Sequence, residues 1–196
     1  MQYAGYINTK KLNLDIPKIR NSCNIMYDLI KTHFGNESKD YTSQATLTTQ
    51  LFGKYNILMY PYDEFHNLYF EIQKMFRECY PTVKHQYYIQ CWLNVYNKGD
   101  YIDWHRHWSE PDCFHGFFCV NTETEQSGTA YKIEGVDQPV VVNSEDNLMI
   151  LSPSSHDLHR SSPWNIEYEP RITIAFDLVP KHIVDPTKWL NHWIPI

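Results

Sequence analysis

The spacing of apolar positions changes once along the chain. In the first 80 residues they recur every three or four positions. Ile16, Ile19, Cys23, Met26, Tyr27 and Ile30 would share one helical face, which predicts an amphipathic helix over 16–34 with Gly35-Asn36 as its stop. Phe65, Leu68, Tyr69, Ile72, Met75 and Phe76 form a second such stripe and predict a helix over 63–79. Between them, Ala45 to Phe52 reads as a strand. After Pro81 the chain turns to short β-branched and aromatic runs between turn residues such as Asn97-Lys98-Gly99, Ser127-Gly128 and Glu134-Gly135. Strands are expected near 86–97, 100–106, 115–121, 129–133, 139–143, 147–152, 159–162 and 171–179.

Eight short strands at near-regular spacing predict a mainly β fold, a double-stranded β-helix or jelly roll, with an N-terminal helical layer on one face. The expected organisation is a single domain over 1–196. Within it, 1–80 form the helical layer, 81–180 the jelly-roll core, and 181–196 a C-terminal segment apolar enough to pack. No repeat, low-complexity tract or Pro/Gly/Ser linker interrupts the sequence.

Composition narrows the functional classes. Apolar content of 42% and charged content of 20% describe a globular chain rather than a disordered one. A net charge of −6 argues against a basic groove built on phosphate neutralisation, so nucleic acid is not an expected partner. No apolar run approaches the roughly 18 residues of a membrane helix, and the N-terminus lacks a signal-peptide profile. Five scattered cysteines without a Cys-x-x-Cys pair read as reduced thiols, which points to a cytoplasmic protein. Oligomeric state is not legible.

The histidines carry the chemistry. His105 and His107 stand two apart on an expected strand, so both imidazoles would leave the same face. His159 opens a later strand that a jelly roll can bring back beside them. Three ligands on rigid strands with open positions is the facial arrangement of non-haem iron oxygenases. The usual set there is two histidines and a carboxylate, and here His107 occupies the carboxylate position. Glu110, Asp112 and Asp103 are the alternative third ligands, and His156 competes with His159.

The run Asn94-x-Tyr96-x-x-Gly99-x-x-Ile102-x-x-His105-x-His107, followed by His159-x-x-x-Pro163 and Arg171-x-Thr173, resembles the Fe(II)/2-oxoglutarate-dependent dioxygenase superfamily. The spacing is that of AlkB-type demethylases and close to that of prolyl-hydroxylase-like members. His115 to Asn121, Ser127-Gly128-Thr129, Asn147 to Pro153 and Arg171 to Phe176 are similar to a narrower group of small 2-oxoglutarate/Fe(II) oxygenases of phages and bacteria. The resemblance spans residues 88–180.

It implies a jelly roll holding Fe(II) through His105, His107 and His159. It also implies that Arg171 and Thr173 bind the far carboxylate of the co-substrate 2-oxoglutarate, with Asn94 and Tyr96 touching it. The implied reaction uses O2 to hydroxylate a peptidyl side chain or small molecule, releasing succinate and CO2. A nucleobase is the least favoured substrate, because Asp177 stands where the AlkB branch carries a second arginine. Trp104, Trp108 and Phe114 flank the metal run and serve either a substrate mouth or the core.

Two other classes compete. Gly99-x5-His105-x-His107-x-x-Glu110-x5-Gly116 nearly reproduces the first cupin motif, which would make a metal-dependent isomerase or dioxygenase. A non-enzymatic β-sandwich binding protein tolerates the histidines but leaves their joint spacing unexplained.

Overall fold

A computed structural model describes residues 2–3, 6–35, 46–122, 127–184 and 192–196. The two long helices form where periodicity places them. Helix α1, Ile16–Phe34, is capped by the Asp15 side chain, which accepts from Lys18 N at 3.2 Å, and ends at Gly35. It buries Ile19, Cys23, Met26 and Ile30. Residues 46–52, expected as extended, are instead helical, with the short helix α2 at Leu47–Gln50. The Thr46 side chain accepts from Thr49 N at 3.3 Å, so a threonine that reads as strand by propensity acts as a helix cap. The start of that predicted strand, at Ala45, lies outside the described residues. Helix α3, Asp63–Cys79, buries Phe65, Leu68, Ile72, Met75 and Phe76, with Asp63 and Glu64 in the first turn, where the helix dipole favours acid. Ser22 Oγ donates to Glu64 Oε1 at 2.8 Å and ties α1 to α3.

The described residues form ten strands, in chain order: β1 Gln2–Tyr3, β2 Ile7–Lys11, β3 Tyr87–Tyr96, β4 Phe114–Asn121, β5 Gly128–Lys132, β6 Val140–Asn143, β7 Leu148–Pro153, β8 Leu158–Ser161, β9 Arg171–Pro180 and β10 Ile194–Pro195. They build a seven-stranded sheet, ordered β1-β2-β7-β4-β9-β3-β10, and a three-stranded sheet, β6-β5-β8. Every pairing is antiparallel. The N-terminal layer is therefore not purely helical, because β1 and β2 extend the large sheet, and the C-terminus adds β10 at its other edge.

One expected strand is missing. Residues 100–106 make only an isolated bridge, in which His105 N donates to His159 O at 2.9 Å and His159 N to His105 O at 3.0 Å. Gly99, at φ +89°, reverses the chain after β3, and Asp100 Oδ2 accepts from Asn97 N at 2.8 Å within that turn. The segment then runs beside β8 without regular pairing.

β3 and β9 pair over ten residues, from Tyr87 opposite Pro180 to Tyr96 opposite Arg171. Their alternation divides the molecule. Ile89, Cys91 and Leu93 of β3, with Ile172, Ile174, Phe176 and Leu178 of β9, join α1 and α3 in the main hydrophobic core. The intervening residues face the other way, toward the small sheet. Among the described residues no helix is long and apolar enough to cross a membrane.

Candidate metal centre and adjoining cavity

The second face of the large sheet is where the chemistry collects. Trp92, Asn94 and Tyr96 of β3, His115 and Phe117 of β4, and Arg171, Thr173 and Ala175 of β9 line one cavity. Thr129, His159 and Ser161 of the small sheet close it, with His105 and His107 at one end. All seven residues singled out from the sequence, three histidines and four polar residues, thus border a single space between the sheets.

His105, His107 and His159 each offer a nitrogen, and these nitrogens lie within 4.8 Å of one another. Their outer hydrogen bonds fix the tautomers. His105 Nδ1 faces Asp103 O at 2.7 Å, and His159 Nδ1 faces Asp157 O. A carbonyl only accepts, so both Nδ1 atoms carry the proton and both Nε2 atoms keep a lone pair. Burial, followed by the charge of neighbouring histidines, pushes His105 down to about 4 and His159 well below its ordinary value. These rings are neutral at neutral pH, the form that binds metal.

His107 is anchored differently. Its Nδ1 lies 3.2 Å from Oδ1 and 3.3 Å from Oδ2 of Asp177. His115 Nδ1 donates to the same carboxylate at 2.9 Å, and Trp108 Nε1 donates to it at 2.9 Å. Burial alone would raise Asp177. The electrostatic interaction with His107 and the hydrogen bonds from His107 and His115 outweigh it and hold the carboxyl below the usual carboxylate range. Burial also pushes His115 down to about 4, so in the His115–Asp177 pair the carboxylate is the charged member. The His115 and His107 rings stack with centroids 3.8 Å apart.

His107, His115 and Asp177 also bring ligand atoms within 4.8 Å of one another. This second set was missed because only the register of β4 on β9 places His115 opposite Asp177. The signal available was a lone aspartate inside the apolar run Ile174-Ala175-Phe176-Asp177-Leu178-Val179. A buried charge in such a run needs partners.

The alternative third ligands lie elsewhere. Asp103, Glu110 and Asp112 are exposed, and Glu110 accepts from Ser109 N at 3.1 Å. His156 stacks on Tyr6 instead. Phe114 packs in the core against Phe76 and Tyr80, whereas Trp104 and Trp108 border a second cavity.

At the far end of the first cavity Arg171 is 1% exposed. Its Nη2 donates to Ser144 Oγ at 3.1 Å, while Nε and Nη1 have no hydrogen-bond partner among the described residues. Its guanidinium lies 5.1 Å from the Tyr96 ring centroid. Asn94 Nδ2 donates to Thr173 Oγ1 at 3.4 Å, and Asn94 Oδ1 accepts from Thr49 Oγ1 at 2.7 Å.

No family model matches the chain, and no curated protein does. Solved structures do. AviO1 from Streptomyces viridochromogenes Tue57 superposes with a TM-score of 0.61 at 12% identity, covering 92% of each chain. A Pseudomonas putida prolyl-4-hydroxylase gives 0.59 at 10% identity, covering 89% of this chain and 92% of its own. The viral collagen prolyl hydroxylase of Paramecium Bursaria Chlorella virus-1, solved as a 2-oxoglutarate complex, gives 0.56 at 9% identity over 89% and 96%. The chain shares the fold of the Fe(II)/2-oxoglutarate oxygenases.

Proposed function

We propose that the two sheets form a single-domain double-stranded β-helix and that the protein is an Fe(II)- and 2-oxoglutarate-dependent dioxygenase. His105, His107 and His159 hold the iron. The observation that carries the reading is Arg171. A buried guanidinium that, among the described residues, has two unpartnered N–H groups and no carboxylate in salt-bridge distance is costly, by several kcal/mol per ion before compensation. It shares its cavity with three imidazoles, of which His105 and His159 present free Nε2 lone pairs. A ligand that chelates metal at one end and presents a carboxylate at the other satisfies both ends at once, and 2-oxoglutarate is such a ligand.

The donor set suits the metal. Imidazole is a good ligand for Fe(II), and three of them on anchored rings leave positions open for co-substrate and O2. Asp177 returns negative charge to the site through His107. When bound, iron with 2-oxoglutarate and O2 supplies the oxidising chemistry, which converts a substrate C–H to C–OH and releases succinate and CO2.

The chain's residues perform the rest. Arg171 grips the far carboxylate by its planar fork, and Tyr96 packs beneath that fork. Thr173 offers a hydroxyl beside it, positioned by Asn94, which Thr49 of α2 holds in turn. Asp177 orients His107 and His115, and the backbone carbonyls of Asp103 and Asp157 orient His105 and His159. The small sheet excludes water from this end.

The substrate class is a peptidyl side chain or a small molecule. Prolyl-4-hydroxylase and collagen prolyl hydroxylase are among the structures of this fold. A cupin-type reading leaves Arg171 idle and needs Glu110, whose side chain is exposed. The test is succinate formation from 2-oxoglutarate with Fe(II) and O2, first without substrate and then across a substrate library. Metal-dependent succinate supports the proposal; tight metal binding with no 2-oxoglutarate consumption contradicts it.

A further inference from the structure

A second cavity opens on the other side of His105 and His107, and its walls have a different character. Trp92, Trp104, Trp108, Trp193 and Phe52 supply aromatic surface around a cavity of about 480 Å³. Thr49, Trp92, Ile102, His105 and His107 border both cavities, so a more polar chamber and an apolar one adjoin at the histidines.

The aromatic rings are held in place by their own contacts. Trp92 stacks on His107 with centroids 5.5 Å apart, and Phe52 tilts against Trp92 at 5.5 Å. Lys132 Nζ and the Arg160 guanidinium carbon sit 4.4 and 4.9 Å from the Trp104 ring centroid. Trp108 is fixed through Asp177 and meets Trp193 edge-on at 6.3 Å.

The buried charge at these walls is already committed. Asp177 accepts from His107, His115 and Trp108. Asp103 and Arg106 are exposed, and Asp103 accepts from its neighbour Trp104 N. A charged ligand would lose its hydration here without gaining a buried counter-ion. One polar group does await a partner. Trp193 is 8% exposed, and its Nε1 is buried with no hydrogen-bond acceptor among the described residues. Pockets of this kind are mainly aromatic with a few polar groups that set orientation.

We infer that this outer cavity seats the substrate, and that the substrate is an uncharged, ring-bearing small molecule with a hydrogen-bond acceptor directed at Trp193 Nε1. Its role as a substrate seat rests on the oxygenase reading; its ligand chemistry does not. Flat rings stack on the indole walls, the acceptor fixes their orientation, and the far edge lies against His105 and His107. The two chambers thus sort ligands by charge, with the anion beside Arg171 and the neutral ring among the tryptophans.

The probe is 6-propionyl-2-dimethylaminonaphthalene, a neutral aromatic ketone with polarity-sensitive emission, titrated into the full chain alone and with Ni(II) and 2-oxoglutarate. Saturable one-to-one binding with blue-shifted emission is expected. Neutral 2-acetylnaphthalene should displace the probe at least ten times more effectively than 2-naphthoate. Trp193→Phe keeps the ring, removes the N–H, and should weaken binding about 2- to 10-fold, the worth of one ordinary hydrogen bond. Phe52→Asp should abolish binding while Ni(II) binding persists.

Equal competition by 2-naphthoate overturns the neutral class. Unchanged affinity in Trp193→Phe overturns the acceptor assignment, and unchanged affinity in both variants overturns the site. Probe binding in a protein that takes neither Ni(II) nor 2-oxoglutarate contradicts the oxygenase reading and upholds the cavity's ligand chemistry. Metal and 2-oxoglutarate binding without probe binding does the reverse.

Discussion

His107 and Asp177 meet across 70 residues of sequence, with Nδ1 of the imidazole 3.2 and 3.3 Å from the two carboxylate oxygens. Where a two-histidine, one-carboxylate set puts the negative charge on the metal, this arrangement moves it one imidazole outward. The sum of charges is the same, and the imidazole gains basicity from the hydrogen bond. Asp177→Asn should therefore weaken metal binding about 10- to 100-fold while the fold persists. Cobalt(II) titration followed by its visible absorption measures this, and an unchanged affinity would show that the carboxylate does not act through His107.

Arg171 makes the opposite kind of prediction. The guanidinium is buried and, among the described residues, only one of its nitrogens is bonded, so on the proposed function its charge serves ligand binding more than the stability of the empty protein. Replacing a poorly compensated buried ion by an apolar side chain of similar volume is often neutral or stabilising. In the ligand-free protein, Arg171→Met should leave the thermal midpoint unchanged or raise it. A fall of several degrees would assign Arg171 a structural role.

Acid should loosen the metal-free protein. His105 and His115 are held at about 4 in the folded state against an ordinary 6.5, and His159 is also held well below that ordinary value. Unfolded chains bind these protons first, so the stability is complete above about pH 6.5 and is lost as pH falls toward 4. Asp177, held low by its histidines, adds loss in the same direction at still lower pH. Thermal midpoints measured from pH 7.5 to 4 should decline steadily, and a flat profile would mean the imidazoles are not buried neutral.

Gly116 sets how closely β4 approaches its neighbours. A Cβ there would collide with the Ile150 carbonyl oxygen and the Phe176 ring. Gly116→Ala should cost about 1–3 kcal/mol, the usual price of overpacking, and disturb the adjacent pairing of His115 with Asp177. Denaturant unfolding reads the first effect, and loss of metal affinity reads the second.

Much of this was legible in the chain. Both long helices and the strands near β3, β4 and β9 follow from apolar periodicity, because each buries a continuous face. His105, His107 and His159 are singled out by their spacing, and Arg171, Thr173, Asn94 and Tyr96 by the family resemblance, and all seven border one cavity. Residues 46–52 and 100–106 were misread for local reasons. Threonine caps a helix as readily as it extends a strand, and the segment after Gly99 bonds mainly through single contacts such as Ile102 O accepting from Ser161 N at 3.0 Å. His115 and Asp177 were hidden because their partnership depends on the register between strands 62 residues apart in sequence.

The central claim is that one ligand spans from a three-histidine metal to Arg171. Anaerobic calorimetric titration of 2-oxoglutarate into the metal-free protein, the Fe(II)-loaded protein and Fe(II)-loaded Arg171→Met tests it directly. Losing one partner of a desolvated charge pair costs roughly 2–5 kcal/mol, so the variant should bind about 30-fold more weakly or worse. The account predicts tight binding to the loaded parent protein, weak binding without iron, and that loss in Arg171→Met. Equal affinity in all three preparations, or no binding in any, would contradict it.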